Sequence, residues 1–180
     1  MKRHTLLIIV LWLGLAGCTT DKTFGTPEVI DDALTGQIYL LPKNTLRLPD
    51  FTKLSSVGSI YTTRLDIASR DFTEGFPKLS DRLEWFGLQY KGVLHIRSAG
   101  RYTFGLNSDD GSRLYLGSKL IVNNDFQHDP LLKTGNIFLG VGDYPLTLEY
   151  FQGPRYELAL QLFITPPGGV AQIFDSTTVY

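Results

Sequence analysis

The amino-acid sequence predicts an all-β protein, an antiparallel β-sandwich, on three observations. Apolar and polar residues alternate with a period of two over several stretches, turn signals separate those stretches, and no long amphipathic helical pattern competes. The alternation is plainest at Leu94 and Ile96 against His95 and Arg97, and at Tyr102, Phe104 and Leu106 against Thr103, Gly105 and Asn107. It returns at Leu146, Leu148 and Tyr150, and at Leu158, Leu160, Leu162 and Ile164. Ser98-Ala99-Gly100, Gly117-Ser118, Gly140-Val141-Gly142-Asp143 and Gln152-Gly153-Pro154 supply glycine or proline where the chain must reverse. Short strands at this spacing build sandwiches and barrels.

A chain of 180 residues suits one domain with a core of its own. Met1-Lys2-Arg3-His4 is basic, Leu6 to Leu15 is apolar, and Leu15-Ala16-Gly17-Cys18 closes the run. That order reads as a signal peptide over residues 1–17 ending in a lipobox, since about 20 apolar residues are needed to span a bilayer. Cys18 is the only cysteine, so no intrachain disulfide can form, and lipidation gives the lone thiol a role. Two or more acyl chains anchor stably, at about 0.8 kcal/mol per buried methylene. The expected protein therefore lies on a membrane through its lipid and does not cross it.

Loss of residues 1–17 removes Lys2 and Arg3 and none of the 18 acidic residues, which moves the formal charge from −1 to −3. Such a balance offers no attraction to phosphate backbones, and nucleic acid is not an expected partner. Thr19 follows Cys18 where an aspartate would resemble the inner-membrane retention signal, so the outer membrane is the expected address. Residues 18–35 mix Asp, Lys, Thr, Gly25 and Pro27 with few apolar residues, the composition of a tether. The folded domain is expected over 36–180.

Several ordered blocks then resemble the domain family named after anthrax protective antigen. Ile60-Tyr61-Thr62, Phe72-Thr73-Glu74-Gly75-Phe76-Pro77 and Asp81-Arg82-Leu83-Glu84-Trp85-Phe86-Gly87 are similar to its entry segment. Gly100-Arg101-Tyr102-Thr103-Phe104, Ser108-Asp109-Asp110-Gly111-Ser112-Arg113-Leu114-Tyr115-Leu116 and Tyr150-Phe151-Gln152-Gly153-Pro154-Arg155 are similar to its most recognisable blocks. Leu158-Ala159-Leu160-Gln161-Leu162 and Thr165-Pro166-Pro167-Gly168-Gly169 extend the match, which covers about residues 36 to 170. The resemblance implies a β-sandwich found in bacterial toxins, inserted in glycosidases, and used by yeast flocculins and bacterial adhesins to bind sugars through calcium. Fold alone transfers no function.

The chemistry concentrates at Asp109 and Asp110. Carboxylates that converge in a rigid pocket need a cation, and oxygen-only donors suit Ca²⁺, which takes 6 to 8 oxygens. In sugar-binding relatives the two aspartates are joined by a cis peptide, and an amide side chain from a second loop adds a ligand; Gln152 is the matching amide. The resemblance thus implies Ca²⁺ held by Asp109, Asp110 and Gln152, with open coordination positions for two sugar hydroxyls. Ser-Asp-Asp-Gly-Ser is also the chemistry of a plain β-turn, and both readings stand at this point.

The stretch from Asn123 to Pro130 is the second polar loop, with Phe126 where the family usually has glycine. It is read mainly as a structural loop, with Phe126 a candidate sugar-stacking face. His128 has no nucleophile or carboxylate at a spacing that implies catalysis. Trp85, Phe86, Tyr102, Phe104 and Tyr150 are expected in the core. Nothing places Glu84 and Glu149 as a glycosidase pair, phosphate loops and zinc spacings are lacking, and no enzymatic activity is expected.

Two functions from different classes follow. One is a calcium-dependent carbohydrate-binding module acting in adhesion or glycan recognition. The other is a structural or assembly lipoprotein docking an envelope protein complex.

Overall fold

A computed structural model describes residues 31–73, 75–77, 79 and 84–180. The signal segment, Cys18 and most of the expected tether lie outside the described residues, as do Glu74 and residues 81–83 of the entry blocks. No described helix is long and apolar enough to cross a membrane.

Two antiparallel sheets form the sandwich. The strands are β1 Leu34–Leu40, β2 Gly58–Thr62, β3 Asp66–Asp71, β4 Phe86–Ile96, β5 Gly100–Asp109, β6 Ser112–Leu116, β7 Lys119–Asn124, β8 Leu131–Leu139, β9 Gly142–Gln152, β10 Glu157–Thr165 and β11 Gln172–Ile173. The first sheet runs β2-β1-β4-β9-β6-β7, and the second runs β11-β10-β5-β8. Strand β3 shares an edge of β10 with β11, pairing along Glu157–Gln161 while β11 takes Phe163 and Ile164.

The period-two alternation places one residue set inward. Strands β4 and β9 pair along their whole length, from Phe86 opposite Gln152 to Ile96 opposite Gly142. This register stacks Leu88, Tyr90, Leu94, Leu146, Leu148 and Tyr150 against Tyr102, Phe104, Leu106, Leu158, Leu160, Leu162 and Ile164 from the second sheet. All are buried, as the alternation predicts, because a pleated strand sends successive side chains to opposite faces. Strands β5, β9 and β10 are the elements most clearly foreshadowed, and the turn signals mark strand junctions: Gly117 and Gly153 lie between strands, Gly100 opens β5, and Gly140–Asp143 runs from the end of β8 into β9.

A second, smaller core sits on the outside of the first sheet. Tyr39 and Phe151 point away from the sandwich and would be wet in an ordinary antiparallel sheet. Here the segment following β1 folds over them, and Leu41, Leu48, Phe51 and Trp85 close the cluster. Phe51 opens a single 3₁₀ turn, Phe51–Lys53, capped by the Asp50 carboxylate accepting from Thr52 N–H, and its ring packs 4.9 Å from that of Tyr39. This flap forms one wall of the functional end.

Candidate functional site

Three connections pass between the two sheets at one end of the sandwich. Asp110 and Gly111 link β5 to β6, Asp125 to Pro130 link β7 to β8, and Gly153 to Tyr156 link β9 to β10. Register brings them together, since Asp109 stands opposite Ala159 in the second sheet and Ser112 opposite Tyr150 in the first. The result is a pocket of about 330 Å³ walled by Asp109, Asp110 and Asp129, with Leu46, Phe126 and Tyr156 around it.

The Asp109–Asp110 peptide is cis. Asp110 accepts two backbone donors: Oδ1 takes His128 N–H at 3.1 Å and Oδ2 takes Gly153 N–H at 2.5 Å. One carboxylate thereby ties all three connections to each other. Gly153 must be glycine for this, because a Cβ there would stand 2.8 Å from Asp110 Oδ2. Gly111 is equally confined: a Cβ would meet the Phe151 ring at 2.6 Å and the Phe126 backbone at 2.8 Å. Around this turn Ser108 and Ser112 hydroxyls meet at 2.8 Å and Asn124 Nδ2 donates to Ser108 Oγ at 3.0 Å, so the polar groups of the junction are satisfied internally.

Asp109 is in a different position. Its backbone oxygen accepts from the Tyr150 hydroxyl at 2.6 Å, while its carboxylate gathers with those of Asp129 and Glu157, the three offering oxygens all within 4.8 Å of one another. Burial, with Asp110, Glu157 and Asp129 adding repulsion and a Gln152 hydrogen bond opposing, pushes the Asp109 carboxyl up to about 8. Burial also raises Asp110, to about 6, although the Gly153 and His128 N–H groups lower it. Among the described residues no lysine or arginine comes within ion-pair distance of Asp109, Asp110, Asp129 or Glu157.

This donor set fits calcium. Two oxygens bound to one ion at about 2.4 Å can be no more than about 4.8 Å apart, and the three carboxylates meet that limit with hard oxygen donors alone. Asp109, Asp129 and Glu157 would hold the ion, with Asp110 alongside. Asp129 belonged to a loop read as structural, and Glu157 carried no signal, since it approaches Asp109 only because β9 and β10 hand over between sheets here.

Gln152 stands behind the pocket and is fully buried. Its Oε1 accepts from the Tyr150 hydroxyl, and its Nε2 donates to the backbone oxygens of Pro154 and Glu157, both at 3.2 Å. The amide thus braces the connection that carries Glu157. Phe126 is on the pocket wall, 47% exposed, with the Arg47 guanidinium 5.1 Å above its ring centre. His128 pins the loop: its ring nitrogens face the backbone oxygens of Asp129 at 2.7 Å and Asn124 at 3.0 Å. Trp85, Phe86, Tyr102, Phe104 and Tyr150 are all buried in the two cores.

The comparisons agree with this fold. The PA14 domain family matches residues 50–177. The chain belongs to it. PA14 is the anthrax protective-antigen type of domain, as the sequence blocks imply. Among solved structures, a PA14 sugar-binding domain from an RTX adhesin shares 20% identity at a TM-score of 0.65, covering 80% of this chain and 95% of that one. The A domain of epithelial adhesin 9 from Candida glabrata, in complex with Galβ1-4GlcNAc, shares 17% identity at a TM-score of 0.56, covering 81% and 90%. An anti-sigma factor domain-containing protein shares 22% at a TM-score of 0.64; 82% of this chain aligns with 47% of that one, so the PA14 chain spans about half of that relative. At these identities the likeness shows the fold. No curated protein sequence matches the chain.

Proposed function

We propose that this PA14 protein is a calcium-dependent glycan-recognition module, displayed at the cell envelope by a lipid on Cys18, on the outer membrane where the cell has two. The observation that carries the recognition reading is the gathering of Asp109, Asp129 and Glu157 oxygens around one point in a pocket where, among the described residues, no lysine or arginine comes within ion-pair distance of them. Asp109, Asp129 and Glu157 would hold a divalent ion there, which would neutralise their repulsion and offer oxygen-binding capacity to neighbouring hydroxyls of a sugar. Asp109, and Asp110 through the lone pairs that its two backbone donors leave, would then accept hydrogen bonds from those hydroxyls.

The surroundings suit a small polar ligand with apolar faces. Phe126 and Tyr156, the latter 80% exposed, offer aromatic surface beside the acidic floor. The adhesin relatives, one described as sugar-binding and one bound to Galβ1-4GlcNAc, point to the same ligand class. The lipid anchor rests on the Leu15-Ala16-Gly17-Cys18 motif behind a basic and apolar leader.

A glycan array probed with the full chain in calcium and in chelator tests the recognition reading, with Asp109→Asn as control. Binding to a subset of glycans that chelation and the substitution both abolish is expected. An array with no calcium-dependent signal, against a chain that calorimetry shows to bind Ca²⁺, would overturn glycan recognition. Mass analysis of Cys18 for acyl chains tests the anchor separately.

A further inference from the structure

The outer face of the first sheet carries a second cleft of about 390 Å³, on the far side of the flap from the acidic pocket. Leu46 borders the pocket and Leu48, two residues on, walls the cleft. Strand register builds the floor. Gln89 of β4 stands opposite Glu149 of β9, and Glu149 opposite Arg113 of β6, so three long polar side chains form a row straight across the sheet. Tyr115 follows two residues along β6 on the same face and is half-buried. The roof, Leu48 to Thr52, is held by the outer aromatic cluster and by Leu48 N–H donating to Asp125 Oδ1 at 2.7 Å.

The full charges of this cleft are largely matched. Arg113 pairs with Asp125 at 2.5 Å and Asp50 with Lys53 at 3.1 Å. A phosphate would meet Glu149 and Asp50 across from an arginine already engaged, and an ammonium would meet that arginine. A neutral, hydrogen-bonding ligand meets neither conflict.

Hydrogen-bonding capacity, by contrast, is left over. Arg113 Nε is enclosed and so closed to a ligand, and the capacity that faces the cleft is on the acceptors of its floor. Gln89 Nε2 donates to Glu149 Oε1 at 3.1 Å, and among the described residues no bond is made to the other Glu149 oxygen or to the Gln89 amide oxygen. Burial raises the Glu149 carboxyl above its ordinary value, although the Gln89 hydrogen bond and the Arg113 charge lower it. Planar polar groups beside an aromatic ring are what a pyranose needs: acceptors and donors for its hydroxyls at the edge, and a ring for its C–H face.

We propose that this cleft is a second, calcium-independent site for a neutral saccharide, with Glu149 and Gln89 accepting hydroxyl protons and Tyr115 packing on the sugar ring. The proposal stands on the cleft's own residues and does not rest on the acidic pocket. Two sites flanking one flap would let a single glycan chain or two branches engage one molecule, raising avidity without a new contact at either.

The test is a heteronuclear NMR titration of the ¹⁵N-labelled full chain held in chelator, with lactose, glucose and N-acetylglucosamine as probes. The Gln89 side-chain amide signals are followed. At least one probe is expected to shift them saturably. Glu149→Gln, close in shape, should weaken that binding about tenfold, a difference near 1.4 kcal/mol. Asp109→Asn should leave it unchanged. The same spectra report whether each variant is folded, and Tyr115→Phe, which keeps the ring, should retain binding. No saturable shift with any probe, shifts that Glu149→Gln leaves equally tight, or shifts lost in Asp109→Asn would each overturn the proposal.

Discussion

Asp109 and Asp125 are both buried carboxylates near the same end of the sandwich, and they have opposite company. Asp125, with its side chain 3% exposed, receives the Arg113 guanidinium on Oδ2 and the Leu48 N–H on Oδ1. Asp109, about as enclosed, is faced by Asp110, Asp129 and Glu157. A buried charge with its counter-charge built into the chain is a structural fastener, here joining β6, the β7–β8 loop and the flap. A buried charge surrounded by like charges is unfinished, and its completion has to come from solution as a proton or a metal ion. The contrast separates the part of this end that makes the fold from the part that recognises something.

Five predictions break or sharpen that contrast, beginning with the largest. Asp125→Ala removes a partner from a pair whose other member is partly buried and unroofs the flap, so unfolding should be easier by about 3 kcal/mol, the low end for broken buried pairs because Arg113 keeps some solvent. In a chain of this size that corresponds to a melting temperature lower by about 6–12 °C by calorimetry. Were Asp125→Ala as stable as the parent, the fastener reading would fail.

Asp109→Asn should do the reverse. In chelator it should leave the melting temperature unchanged or raise it, because a neutral amide replaces a carboxyl that burial disfavours when charged. Calorimetric Ca²⁺ affinity should drop about 100-fold, or about 2.7 kcal/mol. A variant that binds calcium like the parent would place the ion elsewhere.

The pH response follows from the raised carboxyls. Asp109 titrates at about 8 and Asp110 at about 6 in the folded protein, against 3.8 for an ordinary aspartate. Between pH 3.8 and about 8 the folded state therefore holds protons that the unfolded state has released, and metal-free stability should fall as pH rises through that window. Calcium needs the ionised forms, so at pH 7 its binding should release about one proton, and affinity should weaken as pH drops from 8 towards 5. Titrations in buffers of different ionisation enthalpy measure the proton count; a count of zero would mean that Asp109 is already ionised.

Smallest in effect are the changes that touch geometry and rim. Gly153→Ala places a methyl 2.8 Å from Asp110 Oδ2 and should weaken calcium binding about tenfold by turning that carboxylate. Tyr156→Ala should leave calcium affinity intact and lower glycan affinity by about fivefold, near 1 kcal/mol, since its ring is 80% exposed beside the pocket. Loss of calcium binding in Tyr156→Ala would move that residue from the rim to the ion.

Much of the fold was legible in the residues because it depends on near neighbours in sequence. Alternation at Tyr102, Phe104 and Leu106, or at Leu158 to Ile164, dictates which side of a strand is buried whatever its partners, and glycine at 117 or 153 marks a reversal whatever lies beyond it. Strand β8 is harder to read: Leu131, Leu132 and Phe138 stay exposed, so apolar residues along it do not mark its inner face. The flap and its outer core were not legible either, because Tyr39 and Phe151 look like ordinary strand residues until Phe51 and Trp85 arrive from elsewhere.

The candidate site divides the same way. The sequence by itself determined the Asp109–Asp110 pair, its turn, and the glycines that let it pack, since these are adjacent or follow from local backbone chemistry. Only the tertiary structure decided that Asp129 and Glu157 join Asp109, that Asp110 spends its oxygens on His128 and Gly153 N–H groups, and that Gln152 braces the site from behind. The physical reason is register. Carboxylates 20 and 48 residues after Asp109 meet it because three connections change sheets at one end, and pairings summed over two whole sheets determine where those connections fall.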